Sequence, residues 1–266
     1  MHADVRSDTA GTCPICKMSL VPKPTRLGDY LMDVRSTPAA PLAGQSTTFD
    51  IVLRDPQSRR PIRSFELLHD RFLHLFVVSQ DLAVFAHVHP HLGEDGRLST
   101  SLVLPQTGAY QLFADFTPTG GTPQLLQRSI IARGSSGTLY QGRAHLTADV
   151  NPKDDGGLRA KVSVPDVVAG RQFLLTFTIE SARTGAPVQD LEPYLGAPGH
   201  LFSVSEDLAD AFHSHPVAAI SSGAGPDLTF QLAFARAGLN RVWLQVQHVA
   251  VVSTFGFTIA ARPADH

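Results

Sequence analysis

The segment HLFVVSQDLAVFAHVHP, residues His74–Pro90, recurs as HLFSVSEDLADAFHSHP, residues His200–Pro216. Eleven of the 17 positions are identical, and all three histidines of each segment are among them. The same offset of 126 residues relates Ala43-Gly44 to Ala169-Gly170. A repeat of this length indicates a duplicated domain, because solenoid repeats have periods of about 20–50 residues.

Both copies alternate apolar and polar residues with a period of two, which predicts strands with one buried face. In copy one the apolar positions are Phe49, Ile51 and Leu53, and in copy two they are Phe173, Leu175, Phe177 and Ile179. Beyond Pro216 the offset becomes 130, so copy two carries four extra residues, which we expect in a loop around the segment SSGAG at 221–225. Turn signals such as EDG and QTG separate the predicted strands.

The pattern therefore predicts an all-β fold with two tandem immunoglobulin-like or cupredoxin-like β-sandwich domains after a short N-terminal knuckle. We expect the knuckle at residues 1–26, the first sandwich at 27–133, a linker at 134–145 and the second sandwich at 146–262.

Composition restricts the possible partners. The chain has 266 residues, of which 43% are hydrophobic and 17% charged, and its net charge is −2. It has no basic run of the kind that binds nucleic acid, so we expect no nucleic-acid partner. No apolar stretch reaches the roughly 18 residues that a membrane span needs, so we expect no transmembrane segment in this chain.

The repeated segment reads as a hairpin, with QDLA as the turn between two strand-forming runs. If the turn is centred on Asp81 and Leu82, the numbers of cross-strand partners add up to 163. His74 then lies opposite His89, with His87 one pair further along. Opposed side chains have Cβ atoms about 4.5–5.5 Å apart, so the three imidazoles can converge on one metal ion.

Copy two predicts the same site from His200, His213 and His215. Phe85 has the parity of His87, whereas Phe212 has the opposite parity to His213, so we expect a local bulge or turn difference between the hairpins. Imidazoles that only hydrogen-bond a rigid hairpin are the alternative to metal binding.

Three carboxylates are candidates for second-shell or acid/base groups at these sites: Asp81, Asp115 and Asp207. The Ser-x-Asp context of Asp81 and Asp207 also suits an Asx turn, in which the carboxylate bonds its own backbone. Three histidines with an open coordination position also occur in catalytic metal sites. However, the sequence has no paired carboxylates, no Ser/His/Asp spacing and no nucleophile elbow, so we expect no enzyme activity.

The N-terminal knuckle carries the only two cysteines, Cys13 and Cys16, together with Met18 and His2. Soft sulfur ligands favour Cu(I) and Zn(II), and one C-x-x-C pair is half of a tetrahedral zinc site. A disulfide is the other possibility. A thioredoxin-like site is disfavoured because no strand–helix context follows the pair.

The first 22 residues, MHADVRSDTAGTCPICKMSLVP, resemble the heavy-metal-binding domain attached to metal-efflux adaptors and copper-transporting ATPases. That family's pattern is C-P-M-H-P, a spacer and P-G-x-C-P-x-C-G-M-x-L-x-P. Here Met1-His2 and Gly11–Pro14 match the pattern, whereas Ala3, Ala10 and Lys17 depart from it. The Cys-Pro pair before Met-His is missing, so we expect the true start upstream, with a signal peptide and a third cysteine.

The remainder is similar to uncharacterised bacterial secreted proteins that often follow this metal domain. The resemblance implies a periplasmic or secreted location and a metal-associated role. We therefore expect a protein that binds a heavy metal, copper first and zinc as the alternative, for sequestration or transfer. Its expected partners are the ion and a metal-efflux or membrane protein. A metalloenzyme and a structural or partner-binding β-sandwich module are the alternatives.

Overall fold

The computed structural model describes residues 11–12, 30–68, 70–134, 145–221 and 226–264, with the backbone alone at 218–221 and 226. Within these ranges the chain forms 17 β-strands. They contain no helix long and apolar enough to cross a membrane. The all-β prediction is confirmed, whereas the expected knuckle, most of the linker and the inserted loop at 222–225 lie outside the described residues.

Copy one forms two antiparallel four-stranded sheets. Its strands are β1 Leu31–Thr37, β2 Ser46–Arg54, β3 Leu73–Ser79, β4 Phe85–Val88, β5 His91–Leu92, β6 Arg97–Val103, β7 Gly108–Phe116 and β8 Gln124–Ala132. One sheet has the order β1-β2-β6-β5 and the other the order β4-β3-β7-β8.

Copy two repeats this arrangement with one five-stranded and one four-stranded sheet. Its strands are β9 Lys153–Asp155, β10 Leu158–Ser163, β11 Gln172–Ser181, β12 His200–Ser205, β13 Ala211–Ser214, β14 Ala218–Ser221, β15 Pro226–Ala233, β16 Gly238–His248 and β17 Val251–Ala261. The orders are β14-β15-β11-β10-β9 and β13-β12-β16-β17. The chain divides into two compact units between His145 and Leu146.

Each copy has its own hydrophobic core, built from the alternating residues of its two sheets. In copy one Phe49, Ile51 and Leu53 of β2 are fully buried beside Leu75 of β3. Each such side chain stabilises the fold by about 1.5–3 kcal/mol through removal from water. The predicted period of two is therefore the period of burial on these strands.

The two histidine-bearing hairpins have the same register. Leu75 pairs with Val88 and Phe76 with His87, so the partner numbers add up to the expected 163. In copy two Phe202 pairs with His213, which is the equivalent pair at the offset of 126.

The predicted bulge between the hairpins is therefore wrong. Phe212 occupies the position of Ala86, and each of these two residues packs against the core of its own copy. Phe85 instead lies on the other face, with its ring 6.2 Å from that of Phe76. The backbone pairing is the same in both copies, but the phenylalanine of copy two lies one position later in the aligned sequence than that of copy one. Because successive residues of a strand face opposite sides, the two phenylalanines lie on opposite faces.

Candidate metal centre

The three histidines of copy one meet on the face of the hairpin that is turned away from the core. Leu73, Leu75 and Val77 of β3 belong to the core, and His74 lies between them on the opposite face. His74 Nδ1 is 3.0 Å from His87 Nε2 and 3.2 Å from His89 Nε2. The two Nε2 atoms are 3.0 Å apart. The structure therefore brings the predicted residues of this copy to one point.

A backbone carbonyl fixes the orientation of His74. Its Nε2 lies 3.0 Å from the carbonyl oxygen of Leu68. Because a carbonyl only accepts hydrogen bonds, Nε2 carries the ring proton and donates to Leu68. The lone pair of neutral His74 is thus on Nδ1, which faces the other two rings, and this is the usual second-shell arrangement of a metal-binding histidine.

Copy two repeats this geometry with different neighbours. His200 Nδ1 is 3.4 Å from His213 Nε2 and 3.1 Å from His215 Nε2. The rings of His213 and His215 are in edge contact, with centroids 4.4 Å apart. His200 Nε2 donates to the carbonyl of Tyr194 at 2.7 Å, six residues earlier in the chain, as Leu68 precedes His74.

A tight turn holds each of these carbonyls. Leu68 and Arg71 exchange two backbone hydrogen bonds of 2.8 and 3.1 Å, and Tyr194 and Ala197 exchange two of the same lengths. In copy two both central residues have positive φ, 53° at Leu195 and 75° at Gly196. This backbone normally requires Gly, Asn or Asp, and a leucine there is strained.

The triangle of nitrogen atoms in copy one has the dimensions of a metal site. With metal–nitrogen bonds of about 2.0–2.1 Å, the observed separations correspond to angles of about 90–105° at the ion. Three imidazoles on one side of an ion leave its other side open.

The site is buried, and burial favours the neutral form of a histidine, which is the form that binds metals. His74 is fully buried, and His87 is 9% exposed with its ring stacked 4.4 Å from Phe76. Burial, followed by the nearby His74 and Arg71, lowers the pKa of His89 to about 3. His89 is therefore unprotonated at neutral pH and offers a lone pair.

Two of the predicted second-shell carboxylates stabilise the hairpin turns. Asp81 accepts hydrogen bonds from Ser79 Oγ, the amide of Ala83 and Gln106 Nε2. Asp207 repeats this pattern in copy two, with Ser205 Oγ, the amide of Ala209 and Arg236 as donors. These contacts match the Asx-turn alternative.

The third predicted carboxylate lies beside the site. Asp115 on β7 is the direct cross-strand partner of His74, and it is 4% exposed. The equivalent partner of His200 in copy two is Gln245 on β16, which is 8% exposed. The two sites therefore share their histidines and differ in this neighbour.

The predicted ligands of the knuckle, His2, Cys13, Cys16 and Met18, lie outside the described residues. Sequence reasoning missed the carbonyls of Leu68 and Tyr194, because a backbone acceptor carries no side-chain signature. The one available signal is Leu195-Gly196, which precedes a predicted strand and is typical of a turn.

The comparison with protein families agrees with the duplication. The model of a domain of unknown function, DUF8832, matches residues 27–128 and again residues 152–263. The chain belongs to the DUF8832 family. Each matched DUF8832 segment of this chain contains one complete histidine triad. A heavy metal binding domain matches residues 1–23, ahead of the first DUF8832 segment.

No curated protein matches this DUF8832 chain. Among solved structures it is similar to the Escherichia coli adhesin FdeC, with 17% identity over 93% of this chain and 68% of that one, at a TM-score of 0.28. The Yersinia pseudotuberculosis adhesin InvE is 11% identical over 86% and 58% of the two chains, at 0.27. Fibronectin(III)-like modules of Clostridium thermocellum CbhA are 12% identical over 89% and 97%, at 0.24.

Proposed function

We propose that this DUF8832 protein binds copper at its two three-histidine sites and serves to sequester the ion or to transfer it outside the cytoplasm. The observation that carries the proposal is the triangle of nitrogen atoms from His74, His87 and His89, with edges of 3.0–3.2 Å. A second triad at the equivalent position of copy two supports it.

Ligand chemistry supports copper over the alternative, zinc. Imidazole suits both ions, but the affinity of a nitrogen site for divalent ions rises to a maximum at Cu²⁺. The segment matched as a heavy metal binding domain adds two cysteines and a methionine, which prefer Cu(I). Imidazole and sulfur sites in one chain would together accept both oxidation states.

The composition of the site favours binding over catalysis. Within copy one, the group of potential ligand atoms in the described part of the chain consists of the three histidines, with no carboxylate or thiol among them. The open side of the ion would be available to a ligand from a second molecule, which suits transfer. The same open side is what a metalloenzyme requires, so turnover is the observation that would favour that alternative.

The extracytoplasmic location and the metal-efflux or membrane partner are part of this proposal. They rest on the sequence resemblance of the first 22 residues to a domain of efflux adaptors and copper ATPases. The heavy metal binding domain matched at residues 1–23 supports the metal-associated part of this resemblance. Cell fractionation of the native protein tests the location. Identification of the efflux or membrane proteins that co-purify with this chain in the presence of copper tests the partner.

The test of metal binding is a titration of the full chain, with Cys13→Ser and Cys16→Ser removing the thiolates. We expect two Cu²⁺ ions per chain by mass spectrometry, with an electron paramagnetic resonance spectrum of nitrogen ligation. His87→Ala and His213→Ala should each remove one ion. His91→Ala is the matched control, because His91 is exposed and lies on β5 in the other sheet. Unchanged binding in the double variant His87→Ala/His213→Ala would contradict the proposal.

A further inference from the structure

The two sites differ in one buried neighbour, which has a carboxyl group in copy one and an amide in copy two. Asp115 pairs directly with His74 across β3 and β7, and Gln245 pairs directly with His200 across β12 and β16. Directly opposed residues of an antiparallel pair point to the same face, with Cβ atoms about 4.5–5.5 Å apart. The carboxyl group of Asp115 in copy one is thus replaced in copy two by the uncharged amide of Gln245, on a side chain that is one methylene longer.

This difference matters because three imidazoles leave the charge of an ion uncompensated. A divalent ion bound by neutral histidines keeps its full double charge, and burying such a charge is costly without an opposite charge nearby. His74 is fully buried and Asp115 is 4% exposed, so water screens their surroundings weakly. A negative charge at Asp115 would therefore stabilise a cation in copy one.

A positive residue, Arg71, opposes this effect. The positive charge of Arg71 contributes to lowering the pKa of His89 in the same site. The equivalent residue in copy two is the uncharged Ala197. However, Arg71 is exposed, whereas Asp115 is buried. Solvent screens an exposed charge much more than a buried one, so the contribution of Asp115 dominates.

We propose that Asp115 makes the copy-one site the tighter of the two for a divalent ion, and that Gln245 leaves the copy-two site weaker. The inference rests on the proposed metal-binding function and adds a difference between its two sites. The relevant property is charge, so the preference is greater for a divalent than for a monovalent ion.

The test measures Zn²⁺ affinity calorimetrically in the full chain carrying Cys13→Ser and Cys16→Ser. His213→Ala isolates the copy-one site, and His87→Ala isolates the copy-two site. We expect copy one to bind Zn²⁺ about tenfold or more tightly than copy two. Asp115→Asn, which has the same shape without the charge, should remove this advantage. Asp115→Glu should keep most of it.

The reciprocal change Gln245→Glu should strengthen the copy-two site. Thermal unfolding of each metal-free variant shows whether it is folded. If the Gln245→Glu variant does not fold, the Zn²⁺ affinity of the Asp115→Asn variant alone tests the inference. Cu(I) affinity is measured in parallel, and Asp115→Asn should reduce it by a smaller factor than Zn²⁺ affinity.

Equal Zn²⁺ affinity with Asp115 and with Asn, or an equal loss for Zn²⁺ and Cu(I), would overturn the inference and leave the proposed function intact. A chain that binds neither ion at the histidines would refute both.

Discussion

Copies one and two hold the same three histidines by the same means with different sequences around them. In each, the first histidine donates Nε2–H to a carbonyl six residues earlier, and a two-residue turn holds that carbonyl. The described residues of the turn are Leu68, Asp70 and Arg71 in one copy and Tyr194, Leu195, Gly196 and Ala197 in the other. The comparison shows that the backbone preserves the geometry of the site, while the neighbouring side chains vary its charge.

The largest expected effect comes from removing the first histidine of either copy. His74→Ala and His200→Ala should each abolish one metal site. Each should also lower the free energy of unfolding by roughly 2–5 kcal/mol, because the change leaves a cavity and removes one of the two hydrogen bonds that the carbonyl of Leu68 or Tyr194 accepts. Urea unfolding of the metal-free variants measures this. A large loss in one copy only would break the equivalence of the two hairpins.

The next effect is a loss of stability at low pH, which we expect from His89 in copy one. The pKa of His89 is lowered to about 3 from its ordinary value of 6.5. Between these values the unfolded chain binds a proton that the folded chain does not, so the free energy of unfolding falls as the pH falls from 6.5 towards 3.

The measurement is urea unfolding of metal-free protein at pH 7, 6, 5 and 4. His89→Gln, which does not titrate, should show a smaller loss over this range. An identical pH dependence in the two proteins would show that His89 is not the responsible group.

A smaller effect is expected at the turn that supports the first histidine. Gly196 has a φ of 75°, and its equivalent in copy one, Asp70, has a φ of 61°. Gly196→Asp should therefore be nearly neutral, whereas Gly196→Val should lower the free energy of unfolding by about 1–2 kcal/mol, because a β-branched residue fits this backbone poorly. Gly196→Val should also weaken metal binding in copy two alone.

This change can be followed through Trp243, the only tryptophan, which pairs with Phe202 next to His213. Its fluorescence should be quenched by Cu²⁺ bound in copy two. Quenching at the same Cu²⁺ concentration in the valine and aspartate variants would show that the turn does not position the ligand.

The smallest effect is expected at the opposite end of the hairpins. Asp81→Asn and Asp207→Asn should each lower the free energy of unfolding by about 0.5–1.5 kcal/mol through weaker turn hydrogen bonds. Neither should change metal affinity, because both carboxylates bond groups of the turn. A tenfold loss of metal affinity in either variant would show that the carboxylate supports the metal-binding histidines, as first predicted from the sequence.

The sequence was sufficient to predict the hairpin and the convergence of its three histidines. The repeated His74–Pro90 segment contains both strands and the turn, so register follows from counting, and Phe76 pairs with His87 as expected. Burial of Phe49, Ile51 and Leu53 follows from period-two alternation. These features are local, and local patterns are what a single sequence encodes most directly.

The parts of the site that the sequence did not predict depend on contacts between residues distant in sequence, or on backbone atoms that have no sequence signature. That Asp115 lies opposite His74 depends on the pairing of β3 with β7, which the hairpin does not determine. The carbonyl of Leu68 is a backbone atom that every residue possesses. The position of Phe212 suggested a bulge, because an aromatic residue that moves by one position along a strand gives the same sequence pattern as a shift in strand pairing. The pairing is unchanged, and Phe212 packs against the core instead.

In copy one, the three histidines, the supporting carbonyl and the turn between the strands all lie within residues 68–89. Such a short hairpin closes in about 1–10 μs, well before strands distant in sequence find each other. The ion-binding unit can therefore assemble early in folding, ahead of the complete sandwich. A metal ion present during synthesis would then act as a nucleus for the domain, and the order in which chain and ion meet would influence how fast the protein matures.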